Sequence, residues 1–560
     1  MRRLMIMVST MHASKFFTEQ PNIEKPRSTF DLSHNHLTTM NAGDLVPIDV
    51  VEVLPGDTFK YTSTNLCRMM TLIAPIFDNI YCDISAFFVP NRLVWNHWIN
   101  FMGENDQDFW TQKTTYSIPQ ITPPSGGFNV GTLGAYIYGC PGVSGNLSMN
   151  ALPLRAYCKI INDWYRDENY NTPCNCPTDD VSIQGSNGSD YVIDCVKGGM
   201  PFVAAKYHDY FTSSLPSPQK GPSVELPLGD SAPVYPGQKN LDPSKYCVYP
   251  NIKTKSSPND SKFLDSSFGF NLMGAALDGG AVCSAIGSAS GSYPVYFTNL
   301  NADLSSATAA TVNDLRTAFA IQKMYELDAR GGSRYIEMLK NHFGVVSPDS
   351  RLQRSEFLGG TRFEININQV VQTAQSDISP LGETAAFSIT SHNKHLFNKS
   401  FTEHGYIIVL ACFRYLHSYA QGLHAMFSRL DRFDFYDPMF ANIGEQPIKN
   451  KEIMAQGTAE DDEVFGYKGA FDEYRYIPNK VSGYMSPQVP LTLASWNLAD
   501  KYNSLPIHSS SWLKEDKANV DRVIAVSSQI NHQFLLDNYF KISATRVMPT
   551  FAIPGRIDHF

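Results

Sequence analysis

Charge is scarce in this chain. Asp, Glu, Lys and Arg make up 18% of its 560 residues, below the ~25% usual for globular proteins, and a surface so thinly charged suits being covered by neighbours. The net charge of -9 excludes a general nucleic-acid binder, because that mode needs clustered Lys and Arg to displace counterions. Local basic patches stay open. Long apolar runs are also missing. The longest, 406–413, has the length of a strand and cannot cross a bilayer. The short apolar run 4–8 behind Arg2 and Arg3 cannot form the core of a signal peptide, so no membrane insertion is expected. Ten cysteines lie scattered from Cys67 to Cys412 without the density of a disulfide scaffold, and reduced thiols are expected. No GxxxxGK(S/T), no GxGxxG behind a strand and no HExxH occurs, which removes the familiar phosphate, dinucleotide and zinc-protease signals. No catalytic residue and no cofactor is assigned.

Aromatics, at 12%, and 34 prolines are plentiful. The length exceeds the roughly 250 to 300 residues at which a single core stops growing, so the chain holds several domains or one core with long excursions. Ile80, Cys82, Ile84, Ala86 and Phe88 alternate with their neighbours up to Pro90, the period-two signature of a strand with one apolar face. Val50 to Leu54 lead into the turn Pro55-Gly56-Asp57, and Phe59 and Tyr61 begin a return strand. Trp95, Trp98, Phe101 and Met102 recur at helical spacing up to Gly103, which predicts a short amphipathic helix with packed aromatics. From about 221 to 310 the composition turns to Gly, Ser, Pro, Asn and Ala with weak periodicity, read as a surface insertion. A capping box at Thr311 and Asp314 opens a helix that Gly331-Gly332 should end. The remainder is mostly strand-like without strand–helix alternation, which favours a β-sandwich or jelly roll with long loops and few helices.

Clusters of chemistry-bearing residues are few. Cys174-Asn175-Cys176 and His34-Asn35-His36 lack the second pair that a zinc site needs. Asp431, Asp434 and Asp437 lack EF-hand spacing and read as loop caps, and Glu460 to Glu463 as a solvated acidic loop. Arg330, Arg334, Lys340, Arg351, Arg354 and Arg362 form the densest basic stretch, suited to carboxylate pairing between subunits or to phosphate contact. Arg2 and Arg3, in an N-terminal segment with Lys15, Lys25 and Arg27, are candidates for DNA contact or part of a flexible tail.

Several stretches together resemble the major capsid proteins of the Microviridae, specifically the gokushovirus group. They are Ala42-Gly43-Asp44-Leu45-Val46-Pro47 with Glu52 to Phe59, Phe87-Phe88-Val89-Pro90-Asn91-Arg92-Leu93-Val94-Trp95, and Lys206-Tyr207-His208-Asp209-Tyr210-Phe211. The most specific block runs from Ala329-Arg330-Gly331-Gly332-Ser333-Arg334-Tyr335 through Ser347-Pro348-Asp349 and Arg351-Leu352-Gln353-Arg354 to Leu358-Gly359-Gly360. Gly466-Tyr467-Lys468, Glu473-Tyr474-Arg475-Tyr476 and Met548-Pro549-Thr550 follow in the family's order. Ser355 stands where the family usually has proline and Phe357 where it usually has tyrosine, and the residues before about Lys15 resemble an extension.

The resemblance implies an eight-stranded jelly roll in two parts, 1–221 and 312–560, interrupted by the insertion 222–311, which would form trimeric protrusions at threefold axes facing a host receptor. It implies pentamers and a sixty-copy T=1 shell around circular single-stranded DNA, assembled in the bacterial cytoplasm and ending in the virion. A small basic DNA-binding protein and a scaffolding protein are the implied phage partners. It carries over no catalytic residue. Shell subunits work through complementary surface, with interlocking loops, buried aromatics and register-fixing arginines. Two other classes fit an aromatic, loop-rich β protein: a glycan-active enzyme or lectin, which would show a paired-carboxylate cleft, and a receptor-binding protein that decorates a virion, which particle stoichiometry would distinguish.

Overall fold

The computed structural model describes residues 27–104, 115–222, 224, 312–373, 375, 381, 382 and 384–551, together with the backbone of short strands between 234 and 302. The chain divides into two compact units, Met1–Pro218 with Leu327–Phe560, and Gln219–Glu326.

The larger unit is a mainly antiparallel β-sandwich. One sheet sets β1 (Ser28–Asp31) and β2 (His34–Met40) end to end along β9 (Phe534–Arg546), followed by β4 (Thr58–Met69) and β7 (Thr390–Ser400). The other runs β6 (Glu356–Glu364), β5 (Ile80–Pro90), β8 (Gly405–Tyr415), β3 (Val46–Val53). Period two fixes which side chains meet between them. Phe59, Tyr61 and Cys67 of β4, Phe534, Leu536, Phe540 and Ile542 of β9, Ile80, Cys82 and Ile84 of β5, and Ile407, Val409, Ala411 and Phe413 of β8 form one buried core. Phe413 and Phe534 stack across it, with centroids 4.1 Å apart. A polar chain crosses the same core: Ser63 donates to Asn65 Oδ1 (2.9 Å), Asn65 Nδ2 to Asn538 Oδ1 (2.6 Å), and Asn538 Nδ2 to the His36 carbonyl (3.3 Å). Each buried polar group thus has its partner.

The turn Pro55-Gly56-Asp57 does return the chain, but into the opposite sheet: β3 pairs with β8, and β4 pairs with β9 and β7. Gly56 takes φ +87°, a conformation that favours glycine. Asp57 Oδ2 accepts from the Leu54 N–H (2.9 Å) and from Arg546 Nε (3.0 Å), so one carboxylate ties the crossing to the end of β9.

The outer face of the four-stranded sheet is covered as well. Tyr406, Ile408, Leu410 and Cys412 of β8 with Phe87 and Val89 of β5 meet helix α1 (Leu152–Ile160), Trp95, Phe128 and Phe202 in a second core. Arg155 of α1 is fully buried: its two terminal nitrogens donate to the carbonyls of Asp179 (2.7 Å), Val94 (3.3 Å) and Val181 (3.3 Å) and to Asp179 Oδ1 (3.3 Å), while Nε has no hydrogen-bond partner. The expected amphipathic helix at 95–102 is a correction: the helix is a single turn, Trp98–Phe101, behind a 3-10 turn at Asn91–Leu93. Trp95 is buried and donates to Asp180 Oδ1 (2.6 Å), whereas Phe101 and Met102 stay well exposed. Pro90 and Asn91 enforce the turn that uses up the aromatic run.

Helix α2 (Val312–Gly331) ends at the glycines read from the sequence, with Gly332 at φ +87°, and α3 (Tyr335–Phe343) follows. The smaller unit pairs Asn251–Thr254 with Ser257–Phe263 and Val295–Phe297, Phe270–Met273 with Val282–Ala285, and Val234–Pro236 with Leu300–Ala302. Eight cysteines of the described residues are free thiols.

Candidate functional site

The basic stretch shows what the arginines do within one subunit. Arg334, ahead of α3, reaches Glu168 (3.1 Å) and Glu337 (3.2 Å) and donates to the Arg166 carbonyl (2.6 Å). Arg354 lies 4.3 Å over the Trp164 ring and donates to the Asp163 carbonyl (2.6 Å). Arg362 of β6 and Arg414 of β8 flank the Tyr207 ring at 4.2 and 4.1 Å. Both pair with Asp83 of β5, to which Tyr207 also donates (2.8 Å). Burial would raise the Asp83 carboxyl, but the two arginines outweigh it and hold it below the usual carboxylate range. Arg330 pairs with Glu445. Arg351 and Lys340 are exposed and enter no ion pair among the described residues. Arg2 and Arg3 lie outside the described residues.

The His and Asp clusters also resolve into structure. His34 Nε2 meets Asp49 Oδ1 (3.2 Å) and His36 Nδ1 meets the Ile48 carbonyl (2.6 Å), so both tie β2 to β3 across the sandwich edge. No group of three or more His, Cys, Asp or Glu placed to hold a metal exists among the described residues. Asp431, Asp434 and Asp437 are caps, as read: they accept from the N–H groups of Phe433 (2.7 Å), Leu430 (2.6 Å) and Met439 (2.9 Å). The acidic loop differs from its reading as a merely solvated one. Asp462 bridges Lys449 (3.0 Å) and Lys451 (2.9 Å), and these bonds, Lys451 first, lower its carboxyl to about 2.

Those caps hold out an unusual surface. Between β8 and the hairpin Gln446–Lys449/Val464–Lys468, three 3-10 turns (Ala425–Phe427, Arg432–Asp434, Pro438–Phe440) satisfy their own backbone while presenting apolar side chains to solvent. Leu430 is 96% exposed and Met439 87%, with Phe427, Phe433 and Phe435 beside them in sequence. Tyr484 and Leu491, the latter 91% exposed, extend the exposed apolar inventory. Single exposed apolar residues are ordinary, but a concentration of this size marks an interaction surface. Sequence alone could not find it, because an apolar residue bound for solvent reads like one bound for a core. The run of capping aspartates at three-residue spacing, Asp431, Asp434 and Asp437, was its one signal.

A buried ionic group also went unread. His417, behind β8, bonds Asp500 Oδ1 (2.8 Å) through Nδ1 and Glu515 Oε1 (2.9 Å) through Nε2, and Lys206 Nζ lies 3.4 Å from Asp500 Oδ2. Burial would lower the imidazole; Asp500 and then Glu515 outweigh it and raise His417 to about 9.

Comparison with known proteins bears on that exposed apolar surface. The family model described as "Capsid protein (F protein)" matches residues 19–556. Capsid protein VP1 of Spiroplasma virus 4 is 43% identical over 95% of this chain and 95% of its own length. That of Bdellovibrio phage phiMH2K is 39% identical over 99% and 100%, and that of Chlamydia phage 1 is 37% identical over 96% and 97%. No helix among the described residues is long and apolar enough to cross a membrane. The chain therefore belongs to the phage F capsid protein family of the Microviridae and is a structural capsid protein.

Proposed function

We propose that this chain is the coat subunit of a closed T=1 shell of sixty copies, assembled through pentamers in the bacterial cytoplasm around circular single-stranded DNA. The observation that carries this reading is the exposed apolar loop 423–443 on a subunit of a capsid family. Burying a Leu or Phe side chain contributes roughly 1.5–3 kcal/mol, and several neighbours holding each subunit at once let modest contacts sum to a stable particle. The fold supports it at a finer level, as a jelly roll. With β1 and β2 counted as one interrupted strand, the chain order is 1-8-3-6 in one sheet and 5-4-7-2 in the other. Each sheet thus draws strands from both ends of the chain, as two Greek keys do.

Within this reading 222–311, between 1–221 and 312–560, builds a threefold protrusion that meets a host receptor, as its Gly- and Ser-rich composition suits a solvent-facing element. Arg2, Arg3 and Arg351 are left for DNA or neighbouring subunits, whereas Arg330, Arg334, Arg354 and Arg362 act first inside their own subunit. A small basic protein neutralises much of the DNA, since the coat itself is acidic, and a scaffolding protein guides assembly.

The test is co-expression with the neighbouring phage genes, followed by negative-stain microscopy and native mass measurement. Uniform icosahedral particles dominated by the 62.5 kDa chain are expected. Monomers or small oligomers, with the neighbours present, would favour a receptor- or glycan-binding decoration instead. Leu430→Asp with Met439→Asp should leave a folded subunit and reduce particle yield at least tenfold.

A further inference from the structure

The second core holds a group of thiols that the capsid reading does not use. Cys158, Cys174 and Cys195 are buried in it, and they arrive from three segments: α1, the loop behind it, and the 3-10 turn Cys195–Lys197. Asn162 clamps the loop to the helix. Its Oδ1 accepts from the Cys174 N–H (2.8 Å) and its Nδ2 donates to the Cys174 carbonyl (2.7 Å). Asn162 stands one turn beyond Cys158, in the π-helical continuation Ile161–Tyr165, so both face the same side of the helix and the clamp lays Cys174 against Cys158. The two side chains are hydrogen-bonded, and Cys195 bonds Cys174 as well.

The three thiols are not equivalent. As a thiol, Cys174 donates to the Tyr191 carbonyl (3.1 Å); as a thiolate, it keeps Cys158 and Cys195 as donors. Those bonds, Cys158 first, outweigh burial and lower its pKa from the usual thiol value, whereas burial keeps Cys158 protonated. The thiolate is the form that reacts with oxidants. Cys174 also dips into the core from an exposed loop, between Pro173 and Asn175, which gives a small oxidant a short path to it. Cys67 and Cys82 touch as well, but they do so between the two sheets, inside the main core. Among the described residues no such group is placed to hold a metal ion.

We propose that Cys174 and Cys158 are a redox pair that closes into a disulfide once the coat leaves the reducing bacterial cytoplasm, fastening the loop 171–176 to α1. The oxidant is a peroxide. The Cys174 thiolate attacks one oxygen of hydrogen peroxide and displaces hydroxide, which takes up the proton the thiol gave away and leaves as water; Cys174 is then a sulfenic acid. The Cys158 sulfur attacks the Cys174 sulfur, and the sulfenic hydroxyl departs with the Cys158 proton as a second water. Two thiols lose two electrons and one peroxide gains them. Such a bond is kept open by cytosolic reductants and persists outside the cell. Only the occasion, release of a particle, rests on the shell reading above; the chemistry belongs to the subunit.

The test starts from reduced full-length subunits exposed to hydrogen peroxide in slight molar excess, then unfolded, alkylated and mapped by peptide mass and fragmentation. Cys158 and Cys174 should leave the alkylated pool together as one cross-link, with Cys67 and Cys82 still alkylated. The melting temperature should rise by about 3 °C and return with dithiothreitol. Cys174→Ser should abolish the oxidation, whereas Cys158→Ser should stop it at a Cys174 sulfenic acid that dimedone labels. The wild-type map decides the pairing if either variant does not fold. A Cys174–Cys195 cross-link, first oxidation at the part-exposed Cys140, or thiols that persist at tenfold excess of peroxide would overturn the pair. Released particles that keep both thiols after the same exposure sink the proposal too, whereas failure of particles with the subunit cross-link intact sinks only the shell reading.

Discussion

The two sheets of the sandwich are built from strands of similar length and are treated very differently. Strand β8, Gly405–Tyr415, is buried at all positions but Arg414, because the core between the sheets takes one face and α1 with its surrounding loops takes the other. Strands β4 and β9 bury every second residue and turn the rest to solvent. The registers place Lys60, Thr62, Thr64, Leu66 and Arg68 of β4 beside Ser543, Lys541, Tyr539, Asp537 and Leu535 of β9 on that outer face. A sheet covered twice needs near-continuous apolar sequence and a sheet covered once needs alternation. The difference is therefore written in the composition of the strands, and it states where substitution should be felt.

The largest effect falls on the covered face. Leu410 and Leu66 both point outward from their sheets, but Leu410 is fully buried in the second core and Leu66 is half-buried. Leu410→Ala should cost about 2–5 kcal/mol through lost contacts and a cavity, and Leu66→Ala less than about 1 kcal/mol. Urea unfolding of the subunit measures both, and equal losses would show that the outer face of β4 is not bare.

Histidine sharpens the same contrast. His417 and His34 are both raised to about 9, His34 chiefly by its bond to Asp49. The side chain of His417 is 1% exposed and that of His34 42%, so solvent screens only the latter. Each folded pKa lies above the unfolded value, so each stabilising contribution is complete below about 6.5 and is lost as pH rises through about 9. Removing His417 takes from Glu515 its imidazole partner in the interior and one of the several partners of Asp500, which keeps Lys206, Tyr502 and Asn519, and His417→Gln should cost roughly 3–5 kcal/mol. It should also abolish most of the fall in melting temperature between neutral pH and pH ~10. His34→Gln should cost less than about 1 kcal/mol. A wild-type pH profile in the His417 variant would overturn this ranking.

Legibility in the sequence followed the same division. Alternation in 80–88 revealed β5, and the glycines at 331 and 332 marked the end of α2, since both signals are local. Helix α1 went unread because Arg155, which reads as a solvent-facing position, is buried and paired with carbonyls from 94 to 181. The crossing of Pro55-Gly56-Asp57 between sheets was likewise invisible, because a turn names its own geometry and not its partners. For the candidate surface, the aspartate caps of the 423–443 loop were legible as local hydrogen-bonding devices. The exposure of Leu430 and Met439 was not, since exposure is decided by residues far away in sequence.

Local bonds rather than burial hold that loop, so a smaller effect is expected there. Asp437→Ala removes the acceptor of the Met439 N–H and should cost about 1 kcal/mol of local order. Limited proteolysis between 423 and 443 should accelerate severalfold with the global melting temperature unchanged. Unchanged cleavage would mean that the turns are held by something other than their caps.

The smallest effect is expected on the bare face. Thr64 accepts from Asn393 Nδ2 (2.6 Å), and Lys541 stands exposed beside Thr62. Thr64→Val and Lys541→Ala should each change the stability of the isolated subunit by no more than about 0.5 kcal/mol, as solvent-facing substitutions do. The informative comparison is with assembled particles. If the face stays open to solvent in the shell, particle melting will be as insensitive as subunit melting. If it receives a neighbour, the DNA or a small phage protein, the same two substitutions will shift particle melting while leaving the subunit unmoved. A shift confined to Lys541→Ala that vanishes at high salt would identify an anionic partner, because only the charge contact is screened.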